Sequence, residues 1–128
     1  MDFPLKGNYF NGQFTMPPIG GAKGVEQIIK KVSLANTEHH LWDGPVDFRH
    51  VEPVVESAEQ GRVVLAKLTI EKRIELVQRL HEQIVSNKSL FENALSLETG
   101  KPLYDAHNEV ETLLEQIQYL IKLYIIAD

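Results

Sequence analysis

The chain has 128 residues, 43% hydrophobic and 24% charged, with a formal net charge of −5 and a pI near 5.5. That length suits one folded domain with a core rather than two, and the mildly acidic balance excludes a phosphate-backbone binder, whose affinity comes from Lys and Arg. There is no cysteine, which removes disulfides, cysteine zinc sites and thiol nucleophiles together and suits the cytoplasm.

The opening Met1-Asp2-Phe3-Pro4 has no basic stretch followed by an apolar run, so no secretory signal is expected. Asn8-Tyr9-Phe10 and Gln13-Phe14 flank Asn11-Gly12, and an Asn-Gly pair between aromatic residues predicts a hairpin because both positions tolerate positive φ. Met16-Pro17-Pro18-Ile19-Gly20-Gly21 interrupts any regular element. A strand is expected over 28–34, a turn at Asn36-Thr37-Glu38, and a short strand at His40-Leu41-Trp42 closed by Asp43-Gly44-Pro45.

From there the pattern is helical. Val51, Val54, Val55 and Ala58 form an i, i+3, i+4, i+7 stripe. Pro53 fits such a helix only in its first turn, and Gly61 is expected to end or bend it. Thr69 is a natural N-cap with Glu71 in the first turn, accompanied by Ile70, Ile74, Val77, Leu80 and Ile84 on one face. Asn87-Lys88-Ser89 marks a break. Leu90, Phe91, Ala94, Leu95 and Leu97 continue to Gly100, a predicted C-cap, and Pro102 fits the first position of the next helix. That helix carries Leu103, Ala106, Val110, Leu113, Leu114 and Ile117 on one face. The fold class is therefore mainly α with a small β-hairpin region. It is read as a single unit over 1–128, with hairpin and loops over 1–50 and helices over 51–128.

Few residues suggest chemistry. His39 and His40 are adjacent and point to opposite faces of a strand. His50 stands alone, His81 and His107 fall on different helices, and no His-x-x-x-His pair occurs. Solvated surface histidines are expected, with no metal site. Gly20-Gly21-Ala22-Lys23-Gly24 lacks the Gly-Lys-Ser/Thr of a phosphate loop and reads as a flexible loop; no Gly-x-Gly-x-x-Gly fingerprint exists. Asp105 with Glu109, and Glu111 with Glu115, share helix faces at i, i+4 but lie off the apolar stripe, so they read as solvated. Glu75 and Arg79 are expected to pair at the surface. The densest charge cluster, Glu71, Lys72, Arg73 and Glu75, mixes both signs. Tyr119 to Ala127 is the most apolar stretch, but it is shorter than the ~20 residues of a membrane span and Lys122 interrupts it.

The segment Leu97-Glu98-Thr99-Gly100-Lys101-Pro102-Leu103, with Ala106 and Glu109-Val110 downstream, resembles the helix–turn–helix near the start of aldehyde dehydrogenases. Leu68-Thr69 through Arg73, then Leu80, Ile84 and Leu90, is similar to the helix before that turn. Tyr9-Phe10-Asn11-Gly12-Gln13-Phe14 resembles the family's opening hairpin, and Leu41-Trp42-Asp43-Gly44 the strand after its variable turn. The set runs in order over nearly the whole chain. Within the family, Glu109-Val110, Ile117, Leu120-Ile121-Lys122 and Tyr124 resemble the succinylglutamate semialdehyde dehydrogenase branch, which implies arginine catabolism. Departures are a longer segment from Thr15 to Lys31, Ser33-Leu34-Ala35-Asn36 in place of Asn-Pro, and Leu65 where an aromatic is usual.

The resemblance implies the amino-terminal part of an α/β fold, lacking the cofactor-binding sheet. In the family a cysteine thiolate attacks the aldehyde, an oxyanion hole stabilises the adduct, hydride passes to NAD or NADP, and a glutamate activates water. All of these residues are expected beyond the matched stretch. The resemblance thus assigns this chain no catalytic, cofactor-binding or metal-ligating residue. Two readings are open. One is a dehydrogenase segment, inactive alone, that self-associates or meets a missing carboxy-terminal dehydrogenase portion. The other is a stand-alone helical interaction module. Tyr119, Leu120, Ile121, Leu123, Tyr124, Ile125 and Ile126 are apolar on more than one face, which implies burial against something else. Nucleic acid and membrane are not expected partners.

Overall fold

The computed structural model describes residues 6–16 and 27–126; the predicted break over 17–21 and the glycine-rich loop over 20–24 lie outside the described residues. The chain divides into two compact units, Met1–Ser33 with Thr37–Ala66, and Leu34–Asn36 with Lys67–Asp128.

In the first unit, β1 (Asn8–Phe10) pairs antiparallel with β2 (Gln13–Thr15) in the register Asn8↔Thr15, Tyr9↔Phe14, Phe10↔Gln13. Asn11 and Gly12 take φ 52° and 78°. Positive φ at both central residues is what a two-residue hairpin turn with the right twist requires. Tyr9 and Phe14 meet edge-to-face with centroids 5.0 Å apart, a cross-strand pair of the kind that stabilises a ribbon. Two hydrogen bonds tie this hairpin to more distant parts of the unit: Asn11 N–H donates to Ser57 Oγ at 2.9 Å, and Asn8 Nδ2 lies 3.0 Å from His50 Nδ1.

β3 (Gln27–Val32) and β4 (His40–Val46) form a second antiparallel pair, with a bulge at Lys31/Val32. β4 does not stop at Asp43-Gly44-Pro45, as expected from the sequence, but runs through it. Pro45 stands opposite Ile28, and in a sheet of only two strands its missing N–H can face outward. Ser33 N–H closes the connection onto His39 O at 2.9 Å. Ser33 and Leu41 are buried.

A short 3-10 helix, Phe48–His50, leads directly into α1 (Val51–Ala66). Asp47 caps it by accepting from Arg49 N–H at 2.9 Å, and the Arg49 guanidinium Nε returns to the same carboxylate at 2.8 Å. This pairing lowers the Asp47 carboxyl from its ordinary 3.8 to about 2. Pro53 sits in the first turn of α1, where its missing N–H costs nothing. Gly61 neither ends nor caps α1, which continues for another turn; a single glycine costs a helix only ~1 kcal/mol. Of the expected apolar stripe only Val54 is half-buried; Val51, Val55 and Ala58 are exposed, and Ser57 is the residue that meets the hairpin.

The second unit is helical: α2 (Ile70–Ser86), α3 (Lys88–Thr99) and α4 (Leu103–Ile126). Thr69 caps α2, accepting from Lys72 N–H, and its hydroxyl holds the Glu71 carboxyl below its ordinary range. Asn87 separates α2 from α3, as expected. Gly100 ends α3 at φ 73°, ψ 6°, its N–H on Ser96 O, with Ser96 Oγ donating to Lys101 O at 2.8 Å. Pro102 acts as the residue before the helix rather than its first: its carbonyl accepts from Asp105 and Ala106 N–H. The core is Ile84 of α2 with Val110, Leu114 and Ile117 of α4, joined by half-buried Val77 and Ile121. Leu80, Leu103 and Leu113, assigned to inner faces from the sequence, are exposed. The first unit holds only two-stranded sheets, so the described residues contain no larger sheet, in keeping with the expected fold class.

Two outcomes are expected. A Cβ at Gly100 would stand 3.0 Å from Leu34 Cβ and 3.2 Å from Ala35 N, in a region that already costs an L-residue roughly 1–2 kcal/mol. Gly100→Val should therefore lower the melting temperature, and an unchanged melt would show the turn is not left-handed. Asp47, depressed in the folded state, contributes stability that is present above 3.8 and lost as pH falls through about 2. Its carboxyl resonance should titrate with a midpoint near 2, moving up towards 3.8 in Arg49→Gln; a midpoint already at 3.8 in the parent would show that the Arg49 pair does not form in solution.

Candidate interaction surface

An apolar groove of the helical unit lies between α2 and α4. Ile70, Ile74 and Val77 from α2 face Leu120, Ile121 and Tyr124 from α4 around a groove of about 280 Å³, with Arg73 also lining it. α2 begins with its Thr69 cap and presents Ile70, Ile74 and Val77 at i, i+4 and i+7, one side of a helix. α4 runs antiparallel to it, so the end of α4 meets the start of α2. The core residues Ile84, Val110, Leu114 and Ile117 close the other end of this interface, and Ile121 belongs to both. Ile117, placed by its spacing on the apolar face of α4, is buried in the core.

Around the groove the end of α4 is open. Tyr119, Leu120, Leu123, Tyr124 and Ile125 are exposed at 62%, 50%, 44%, 54% and 61%. This bears on the expectation that the last helix is apolar on more than one face: no element among the described residues covers them. A smaller apolar hollow of about 200 Å³ lies on the α3–α4 side, between Phe91, Leu95, Val110 and Leu113. Both hollows are packing surfaces in their chemistry. The α2–α4 groove presents aliphatic side chains, one phenol and one guanidinium, and holds no nucleophile and no acid–base pair.

Four of the five histidines make side-chain contacts among the described residues. His40 Nε2 meets Asp43 Oδ1 at 2.8 Å, His50 meets Asn8, His81 Nε2 lies 3.2 Å from Gln118 Nε2, and His107 Nδ1 meets Glu92 Oε1 at 2.8 Å. Among the described residues no three such groups converge on a point where a metal would sit. The acidic face of α4 is divided between partners rather than paired within itself: Glu109 takes Lys101, and Glu111 takes Lys88, which also lies 3.8 Å from Glu92. The Asp105 carboxylate, beside Tyr104, raises that phenol above its ordinary value. Glu75 and Arg79 form no ion pair among the described residues, contrary to expectation; the i, i+3 pair that does form on an exposed helix is Glu59–Arg62, at 2.8 Å. Its guanidinium lowers the Glu59 carboxyl. Sequence reasoning located the apolar half of the groove on α4 but not the half on α2. Ile70, Ile74 and Val77 read simply as core, and nothing in their spacing says that their neighbour stops short of covering them.

The aldehyde dehydrogenase family model matches residues 24–125. An N-succinylglutamate 5-semialdehyde dehydrogenase of Novosphingobium aromaticivorans is 32% identical over 88 residues, which is 69% of this chain and 18% of that protein. Another, of Chromobacterium violaceum, is 30% identical over 83 residues, 64% of this chain and 17% of that protein. A lactaldehyde dehydrogenase of Methanococcus maripaludis is 27% identical over 73 residues, 57% of this chain and 16% of that protein. The chain thus spans less than a fifth of the length of these curated relatives. No solved structure matches it. No helix among the described residues is long and apolar enough to cross a membrane. A family match over most of the chain, the ordered hairpin and helix–turn–helix, and the left-handed Gly100 between α3 and α4 agree: the chain belongs to the aldehyde dehydrogenase family and corresponds to an amino-terminal stretch of it.

Proposed function

We propose that this chain acts as the amino-terminal part of an NAD(P)-dependent aldehyde dehydrogenase, in the succinylglutamate semialdehyde branch and hence in arginine catabolism in the cytoplasm, and that alone it catalyses nothing. The observation that carries this reading is the groove between α2 and α4, an apolar surface without reactive groups on a chain that belongs to the family. The absence of any cysteine supports it, since the family's nucleophile is a thiolate. Two relatives at 30–32% identity support the branch; the lactaldehyde relative, at 27%, is the competing substrate assignment.

On this reading residues 1–128 form one partial domain that contributes no catalytic, cofactor-binding or metal-ligating residue. Its α2–α4 groove is a seat, filled by the carboxy-terminal portion of a dehydrogenase or, without it, by a second copy of the chain. Burying a Leu or Ile side chain fully gains roughly 1.5–3 kcal/mol. Leu120 and Tyr124 are half-exposed, so each has about half of that still to gain. Several such residues together are needed to offset the cost of association, and the run from Tyr119 to Ile125 supplies them.

The purified chain, given NAD or NADP with succinylglutamic, succinic or simple aliphatic aldehydes, should reduce no cofactor. Sustained reduction that tracks the chain through purification would remove the reading. Light scattering at micromolar concentration should show a species larger than the monomer, most simply a two-fold dimer. Leu120→Glu with Tyr124→Glu should weaken the dimer or precipitate the monomer. A well-folded parent monomer that binds no hydrophobic dye would mean the groove needs no cover, and would favour a self-sufficient module.

A further inference from the structure

The hairpin turn joins a side-chain amide to a backbone amide with nothing between them. Asn11-Gly12 is the one Asn-Gly step in the sequence; the other five asparagines precede Tyr9, Thr37, Lys88, Ala94 and Glu109. Asn11 and Gly12 are both exposed. The Asn11 backbone N–H is held by Ser57 Oγ at 2.9 Å, but its side-chain amide and the Gly12 N–H take no partner among the described residues. No atom beyond its chain neighbours lies within 4 Å of where a Cβ on Gly12 would stand, so that side of the turn is open. The strands on either side are three residues each, and isolated ribbons of that kind open readily.

We propose that Asn11 is a site of spontaneous covalent modification, in which Gly12 converts its amide to an acid and the hairpin loses its anchor on α1. The Gly12 nitrogen gives its proton to solvent base and attacks Asn11 Cγ. The N–Cγ bond forms, and the Cγ–Nδ2 bond breaks as Nδ2 takes a proton and leaves as ammonia. The resulting five-membered imide is opened by water. Attack at Cγ returns the nitrogen its electron pair and yields aspartate. Attack at the Asn11 backbone carbonyl breaks the original peptide bond instead and leaves isoaspartate, with the main chain routed through Cβ. No electron acceptor is needed. The second product adds one backbone atom to a turn whose two-residue length fixes the pairing Phe10↔Gln13, and it moves the Asn11 N–H away from Ser57 Oγ. Either product adds a negative charge to a chain already at −5.

An internal control exists. Asp43-Gly44 reaches the same imide by loss of water, but both residues lie in the β3–β4 ladder, opposite Lys30 and Ile29, and the Asp43 carboxylate is held by His40 Nε2 at 2.8 Å. It should stay intact while Asn11 reacts.

The test is to incubate the whole native chain at neutral and mildly alkaline pH and monitor it by peptide mass mapping. Isoaspartate is then counted by methyl transfer from labelled S-adenosylmethionine with an isoaspartyl methyltransferase. Conversion at Asn11 should outpace the other five asparagines and run within about tenfold of the urea-unfolded chain, as expected for a turn with little opening cost. Asn11→Gln should remove the labelling from that peptide, because its ring would have six members and closes far more slowly. Ser57→Ala, which frees the Asn11 N–H without touching the reacting atoms, should speed conversion. In the isoaspartate fraction the Tyr9–Phe14 ring contact should disappear from the NMR spectrum. Conversion at Asn11 no faster than at Asn36 or Asn87, labelling of that peptide that survives Asn11→Gln, an unaltered rate in Ser57→Ala, or an intact Tyr9–Phe14 contact after conversion would each overturn the proposal.

Discussion

A stripe of four residues on α4, Ala106, Val110, Leu114 and Ile117, is the contact on which the helical unit depends. These are the buried positions of that helix, and they recur at the spacing that keeps them on one side. Against them lie α2 and α3, one after the other and both antiparallel to α4. Lys88 and Glu92 of α3 reach Glu111 and His107, while further along His81 of α2 reaches Gln118. α4 is 24 residues long, α2 17 and α3 12, so α4 serves as the rail along which the other two are laid. A helix on a rail covers one side of it. The remaining sides of α4 are left to whatever else the chain meets, and Tyr119, Leu123 and Ile125 stay exposed.

Two local devices make the arrangement possible. Gly100 reverses the chain between α3 and α4 in a conformation that residues with a Cβ enter only at a cost, and its backbone comes close to Leu34 and Ala35. Asn87 breaks what would otherwise be one continuous helix, so that α2 and α3 can each settle on α4. The polar contacts Lys88–Glu111 and His107–Glu92 register α3 against α4, and Lys101–Glu109 ties the connection between them to α4. They are still partly open to solvent, and solvated pairs stabilise by only ~0.2–1 kcal/mol each. The apolar stripe, not the charge clasp, holds the unit together.

Function is set by the surfaces that these interactions leave over. Every histidine that pairs does so with a neighbour one expects of a structural side chain, and Glu109 and Glu111 of α4 each take a lysine. The unsatisfied remainder is apolar: the groove between the start of α2 and the end of α4, and the open turns beyond it. The chain is a member of the aldehyde dehydrogenase family, and its relatives are more than five times the matched length. The strand unit is held differently. Its first hairpin relies on a turn with two positive-φ residues and on polar ties to Ser57 of α1 and to His50.

Much of this was legible in the residues. Asn11-Gly12 specified the hairpin, Thr69 the start of α2, Asn87 the break and Gly100 the left-handed turn, because each is a local conformational demand that one or two side chains meet by themselves. The ordered motifs around Gly100 were enough to indicate the family. The elements misread were those decided by neighbours distant in sequence. β4 continues through Gly44-Pro45 because β3 lies beside it to accept the pairing, and α1 passes through Gly61 because one glycine does not outweigh a helix. Which side of each helix is buried was likewise beyond periodicity. Leu80, Leu103 and Leu113 fit an apolar stripe as well as Val77, Ala106 and Val110 do, yet only the second set is buried or half-buried. A stripe wider than its partner leaves its margin exposed, and the width of the contact is a property of two helices packed together, fixed only when the tertiary structure forms.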